Sequence, residues 1–210
     1  MHVTHTPAGP PSQARLVVLA SGSGSTAQAL LDASRDPAFG ARVVAVGSDL
    51  PGAPVLARAE SAGVEAFVVP VESDRVAWDA ALAERVGGYR PDLVVLAGFM
   101  RLVGPAFLAR FGGRCVNSHP ALSPAFPGTH GPRDALEYGV KVTGCTLFLV
   151  DAGVDTGMIC AQRTVEVHDD DTVEALHERI KVVEREMLVD TVGRMARNGW
   201  TITNRRVHVR

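Results

Sequence analysis

The sequence predicts an α/β protein: a doubly wound, mostly parallel sheet of Rossmann-like type with an antiparallel C-terminal extension. Three observations predict it. Short apolar runs alternate with helix-patterned segments from Arg15 to Ser118, the arrangement that builds a parallel sheet covered on both faces. The first run empties into a loop rich in glycine and hydroxyls, Ser21-Gly-Ser-Gly-Ser-Thr26. The residues best suited to chemistry fall just after apolar runs, where open α/β sheets gather their ligands.

Arg15-Leu-Val-Val-Leu-Ala20 has the continuous apolar character of a strand buried on both faces, and Ala27–Ala33 after the loop is helix-like. Arg42–Gly47 is a second strand, followed by a Pro/Gly turn at 50–54 and a helical stretch, Val55–Ala62, stopped by Gly63. Glu65–Val69 is a third strand. Arg75–Val86 is helical, with Val76, Ala80, Ala83 and Val86 expected on one face. Pro91–Ala97 is a fourth strand, Pro105–Phe111 a short helix and Cys115–Ser118 a fifth strand. Pro132–Tyr138 reads as helix, and Thr143–Val150 with Met158–Val167 as an added strand pair. Asp171 with Glu174 resembles a helix capping box. Val173, Leu176, Ile180, Val183 and Met187 then mark a long amphipathic helix, with Glu184 at the edge of its apolar face. Strand-like segments at 200–204 and 206–209 end the chain. Residues 1–14 read as a disordered tail and 15–210 as one domain.

Composition narrows the function. The chain has 210 residues, 46% of them hydrophobic, which is enough for one sizeable core. A net charge of -2 argues against nucleic acid or an anionic membrane as partner. Cys115, Cys145 and Cys160 form no Cys-x-x-Cys pair and sit in apolar runs, as reduced core residues of a cytoplasmic protein do. No metal site is expected from them. No apolar stretch approaches the ~18 residues of a membrane span, and Met1–Gln13 has no secretory h-region.

The segment Cys115-Val-Asn117-Ser-His119-Pro carries the most chemistry. Asn117 and His119 are two apart on a strand and project to the same side where Pro120 ends the pairing. An amide donor beside an imidazole suits a reaction in which a carbonyl oxygen gains negative charge while a proton moves. Downstream, Asp151-Ala-Gly-Val-Asp155-Thr-Gly157 places two carboxylates after a strand. An Asp facing a His holds its tautomer and favours the protonated ring, although Asp-x-Gly is also ordinary turn chemistry. The loop 21–26 offers backbone N–H groups and a helix start to an anion. It lacks the Lys-Ser/Thr of a P-loop. Gly22-x-Gly24-x-x-Ala27 with Asp49 also fits a dinucleotide fingerprint, so the phosphate's owner stays open on these residues alone.

From about Arg15 to Met195 the chain resembles the phosphoribosylglycinamide formyltransferases. The anchors are Leu19-Ala-Ser-Gly-Ser-Gly-Ser, Val94-Val-Leu-Ala-Gly-Phe-Met-Arg101, Asn117-Ser-His119-Pro with Pro127-Gly128, and Val154-Asp155-Thr-Gly157. The resemblance implies a Rossmann-like formyltransferase fold and transfer of a formyl group from 10-formyltetrahydrofolate to a glycinamide ribonucleotide, in purine biosynthesis, without a metal. It implies that Asn117, His119 and Asp155 are catalytic and that Gly24, Ser25 and Thr26 hold the ribonucleotide phosphate, with Thr26 standing where the family often has Asn. Lys181, Val182, Val183 and Glu184 match a second ribonucleotide segment, with Glu184 on the ribose. Arg75, Met100, Arg101, Leu102, Val103 and Asn117 match folate contacts, and Asp151, Ala152, Gly153, Val154 and Asp155 the loop over the pteridine. Residues 15–113 would then hold the ribonucleotide and 114–210 the folate. A homodimer is compatible with this reading.

Two departures carry expectations. Phe148 stands where the family commonly has His, and is expected to lie on the sheet without a catalytic task. Ser123 stands before Pro124 where the family has Leu, and the Ser123-Pro124 bond is expected to be cis. Among alternatives, methionyl-tRNA formyltransferase would need a basic C-terminal extension, and formyltetrahydrofolate hydrolase a regulatory domain ahead of the glycine loop. A nicotinamide-dependent dehydrogenase would leave 115–128 and 151–157 unexplained.

Overall fold

The computed structural model describes residues 2–5 and 13–210. Five strands form the parallel part of a seven-stranded sheet: β2 (Ala14–Leu19), β3 (Ala41–Ser48), β4 (Glu65–Val68), β5 (Leu93–Leu96) and β6 (Cys115–His119). Two antiparallel strands, β7 (Val142–Leu149) and β8 (Met158–Glu166), extend it. The order is β4-β3-β2-β5-β6-β7-β8. Chain order reverses between β2 and β5, so the crevice beyond their carboxyl ends is the topological switch point. A second, three-stranded antiparallel sheet joins β1 (His2–His5), β9 (Trp200–Thr203) and β10 (Arg206–Val209), with β9 central.

Strand periodicity divides the core in two. Leu16 and Val18 of β2, Leu93 and Val95 of β5 and Val116 of β6 face one side. There they pack on α1 (Ser25–Ala33), α2 (Pro54–Ser61) and the 26-residue α6 (Val173–Asn198). Val17, Leu19, Val94, Leu96 and Cys115 face the other side, against α3 (Arg75–Gly88) and α4 (Pro105–Phe111). Alternate residues of each strand thus bury on opposite faces, which is why these strands read as unbroken apolar runs. A short α5 (Gly131–Tyr138) connects β6 to β7.

Four expectations change. His2–His5 is not a disordered tail: it pairs along β9, and His5 stacks on Trp200 at 4.9 Å between ring centroids. The partner lies some 195 residues away, beyond the reach of local composition. The rest of that expectation, residues 1 and 6–12, lies outside the described residues. Helix α1 begins at Ser25, two residues earlier than Ala27, which puts Ser25 and Thr26 in its first turn. The N-cap of α6 is Thr172, whose Oγ1 accepts from Ala175 N at 3.2 Å. Asp171 instead accepts from the Arg179 guanidinium at 2.9 Å and from His168 N at 2.8 Å. Hydrogen bonding by Arg179 holds the Asp171 carboxyl down at about 2.

The fourth concerns α3. Val76 is 79% exposed and Ala80 is also exposed, and the buried face is Trp78, Leu82 and Val86 with Asp79 and Ala83 beside it. Trp78 outweighs Val76 because burying an indole removes far more apolar surface from water. The polar residue on that face has a task. Helix α4 starts at Pro105 without a side-chain cap from its own segment. The Asp79 carboxylate accepts from Gly104 N at 2.6 Å, Ala106 N at 2.9 Å and Phe107 N at 3.1 Å, satisfying the free N–H groups of that helix start. Asp79→Ala is expected to cost roughly 3 kcal/mol in urea unfolding, because buried donors lose their acceptor, and Asp79→Asn less. An unchanged unfolding midpoint in Asp79→Ala would contradict this capping role.

Candidate active site

At the end of β2 the chain turns through Ser21–Gly24 into α1. Gly24 is the N-cap of that helix and has φ +72° with no side-chain cap. A Cβ there would stand 2.4 Å from Val55 Cγ2, so both the backbone and the packing require glycine. The first N–H groups of α1 are left for a ligand, at the positive end of the helix dipole. Arg58 of α2 braces the loop, its Nε donating to Ser23 O at 2.7 Å.

Asp49, at the end of β3, is fully enclosed as a side chain. Its Oδ1 accepts from Ser21 Oγ at 2.5 Å and its Oδ2 from Arg101 Nε at 2.7 Å. Ser21 Oγ in turn accepts from Met100 N at 2.8 Å, and Ser21 N donates to Gly98 O at 3.0 Å. This carboxylate joins the loop after β2 to the loop after β5. It has no face left for a ribose, which removes the dinucleotide reading of Gly22, Ala27 and Asp49.

The carboxyl end of β6 delivers Asn117 and His119, facing the same side as expected. The imidazole is 3% exposed. Its Nε2 lies 2.8 Å from the Phe126 carbonyl oxygen, and its Nδ1 lies 3.5 Å from Asp155 Oδ2. A carbonyl can only accept, so Nε2 carries a proton and Nδ1 is the nitrogen turned toward Asp155. The Asn117 amide has no side-chain hydrogen-bond partner among the described residues. Asp155 has φ +53° and also accepts from Gly128 N at 2.7 Å. Asp is among the few non-glycine residue types that adopt this left-handed conformation readily. Asp151 has the other role open to it: it accepts from Gly153 N at 3.1 Å and Thr156 Oγ1 at 2.6 Å and shapes the turn. Arg205, in the turn between β9 and β10, ties down the same loop through Thr156 O at 2.8 Å. The Ser123-Pro124 bond is cis, as expected. Thr146 of β7 holds that loop, accepting from Ser123 N at 2.9 Å and donating to Ala121 O at 2.7 Å.

Two adjoining cavities result. The first, about 400 Å³, is lined by Leu96, Gly98–Val103, Asn117–Pro120, Gly128, Thr129, Val150–Asp155 and His177. Its volume and largely apolar wall suit a flat heteroaromatic ligand. Met100, Leu102 and Val154 are 63%, 60% and 45% exposed around it, apolar surface for a ligand to cover. The second, about 250 Å³, is lined by Gly22–Thr26, Ala97, Gly98, Met100, Ser118, Pro120, His177, Lys181 and Glu184. The two share Gly98, Met100, Ser118, Pro120 and His177. Each draws on both sides of residue 113, so the division into a ribonucleotide half and a folate half does not hold for the linings.

The candidate residues separate accordingly. Gly24, Ser25, Thr26, Lys181 and Glu184 line the second cavity; Met100–Val103, Asn117, His119 and Asp151–Asp155 line the first. Val182 and Val183 line neither, because residues 181 and 184 share a helix face that the two valines do not. Glu184 is buried rather than at the edge. Burial pushes its carboxyl up, with Ser118 and then His119 opposing. Arg75 lines neither cavity: its Nη2 donates to Leu102 O at 3.0 Å and its guanidinium lies 4.2 Å above Trp78, bracing the wall from behind. Phe148 is 3% exposed and lines neither cavity. Sequence reasoning missed His177; the one signal was its position at i to Lys181 at i+4 and Glu184 at i+7, a polar spacing that solvated helix faces also show.

A fold with a phosphate-ready helix start at the switch point and an Asn/His/Asp cluster beside it defines a group-transfer enzyme. The formyl transferase family model matches residues 14–192, and the chain belongs to that family. It is 55% identical over 198 residues to the phosphoribosylglycinamide formyltransferase of Mycobacterium tuberculosis, covering 93% of this chain and 91% of that one. The Bacillus subtilis enzyme of the same name is 37% identical over 172 residues, covering 81% and 88%. Glycinamide ribonucleotide transformylase 1 from Symbiobacterium toebii superposes with a TM-score of 0.91 at 46% identity, covering 94% of each chain.

The hydrogen-bond geometry fixes a measurable property of His119. In ¹⁵N NMR of the free protein the neutral ring is expected to carry its proton on Nε2, with Nδ1 unprotonated. A neutral ring protonated on Nδ1 would contradict the Phe126 contact.

Proposed function

We propose that the protein transfers the formyl group of 10-formyltetrahydrofolate to the amine of 5-phosphoribosylglycinamide, giving the N-formyl ribonucleotide and tetrahydrofolate. The observation that carries this reading is the junction of the cavities: an uncapped helix start lines one, and Asn117, His119 and Asp155 line the other. The ribonucleotide enters by its phosphate at Gly24–Thr26, with Lys181 and Glu184 along its ribose. The pteridine occupies the first cavity between Met100–Val103 and the loop 151–155.

The chemistry then follows from the side chains. As the amine attacks the formyl carbon, the formyl oxygen gains negative charge, and the Asn117 amide and the protonated His119 ring donate to it. A new C–N bond forms, the bond to the folate nitrogen breaks, and the proton lost by the amine ends on the departing nitrogen. His119 gives its Nδ1 proton to the departing folate nitrogen and, once neutral, takes the proton lost by the amine on the same nitrogen, since Nε2 is held by Phe126. Asp155 orients the ring and balances its charge, and its own anchor on Gly128 N keeps it in place. The exclusion of water by the apolar wall strengthens each of these contacts.

Purified protein is expected to release tetrahydrofolate only when the ribonucleotide is added; donor hydrolysis without it would favour a hydrolase. Asn117→Ala and His119→Ala are each expected to lower kcat by about 10²–10⁴-fold with little change in KM, because both act in the transition state. Ser25→Ala should act mainly on the ribonucleotide KM. If Ser25→Ala abolished kcat while His119→Ala left it intact, the roles would be reversed.

A further inference from the structure

His177 lies one turn before Lys181 and two turns before Glu184 on α6, and it lines both cavities. The other two residues have neighbours of their own. Lys181 Nζ donates to Glu178 Oε1 at 2.7 Å, and Glu184 lies against Ser118. The His177 imidazole is half-buried and has no hydrogen-bond partner among the described residues.

The inference rests on the acceptor assigned above. A ribonucleotide anchored at Gly24–Thr26 must place its amine beside Asn117 and His119, in the neighbouring cavity. Its glycinamide arm therefore crosses the shared wall of Gly98, Met100, Ser118, Pro120 and His177. Gly98, Met100 and Pro120 present no polar side chain to it, and Ser118 presents only a buried hydroxyl, without a hydrogen-bond partner among the described residues, where His177 presents two ring nitrogens. We propose that His177 is a further substrate-binding residue, whose imidazole hydrogen-bonds the amide of the glycinamide arm as it passes from one cavity to the other. An amide offers one acceptor and one donor, and a neutral imidazole offers the complement. Burial, and then the Lys181 ammonium, hold the ring below the ordinary histidine range, with Glu178 opposing, so the neutral form is the one present near pH 7.

Steady-state kinetics with both substrates varied separate this role from a structural one. His177→Phe keeps a ring and removes both polar atoms; it is expected to raise the ribonucleotide KM about tenfold, equivalent to about 1.4 kcal/mol, with kcat and the folate KM changed less than twofold. His177→Asn should recover most of the loss. Calorimetry of the ribonucleotide alone should show the same weakening in His177→Ala, which removes the ring altogether. An unchanged ribonucleotide KM in a folded His177→Phe variant, or a shift confined to the folate KM, would overturn the inference while leaving the reaction in place. Wild-type protein that turns over no donor with the ribonucleotide would overturn the reaction itself.

Discussion

Everything at the switch point depends on one buried carboxylate. Asp49 takes a hydrogen bond from Ser21 on one oxygen and from Arg101 on the other, and Ser21 passes the connection to Met100 N. The loop after β2 and the loop after β5 leave neighbouring parallel strands, which by themselves fix only where each loop starts. The Asp49 bridge fixes how far apart they run. Since one loop borders the second cavity and the other borders both, the same bridge sets the distance between the helix start in the second cavity and the apolar wall of the first. A charge so enclosed is tolerated because Arg101 offsets it and both oxygens are hydrogen-bonded.

The Asn117/His119/Asp155 cluster is built on the same plan of loops held by single polar contacts. Two antiparallel strands, β7 and β8, bring the loop 151–157 back over β6, so that Asp155 faces His119. The glycine-flanked stretch tolerates the left-handed conformation at Asp155, while Asp151 spends its carboxylate shaping the turn. The small C-terminal sheet also takes part, since Arg205 reaches Thr156 O. The terminal sheet therefore buttresses the loop that carries Asp155.

Much of this was legible in the sequence because it is local. Strands buried on both faces read as apolar runs, and Asn117-x-His119 read as a shared face at a strand end because side-chain direction has a period of two. What was not legible depended on distant partners. His2–His5 is a strand only because β9 offers its edge. The choice of Thr172 over Asp171 as helix cap turns on Arg179, which competes for the Asp171 carboxylate. Val76 satisfied the helical period as well as Trp78 did, and the larger apolar area decided the face. Glu184 and His177 could not be told from solvated residues by spacing alone, because their surroundings come from β6 and from the loops beyond β2 and β5.

On the proposed reading the two cavities form one path, with phosphate recognition at one end and the Asn117/His119 pair at the other. A crystal structure with the ribonucleotide and a folate analogue carrying carbon at the transferring position tests it most directly. The phosphate is expected on the backbone N–H groups of Gly24–Thr26. The amine is expected about 3–3.5 Å from the carbon that stands for the formyl group, beside Asn117 and His119. A phosphate bound elsewhere, or an amine held away from Asn117 and His119 with both ligands in place, would contradict it.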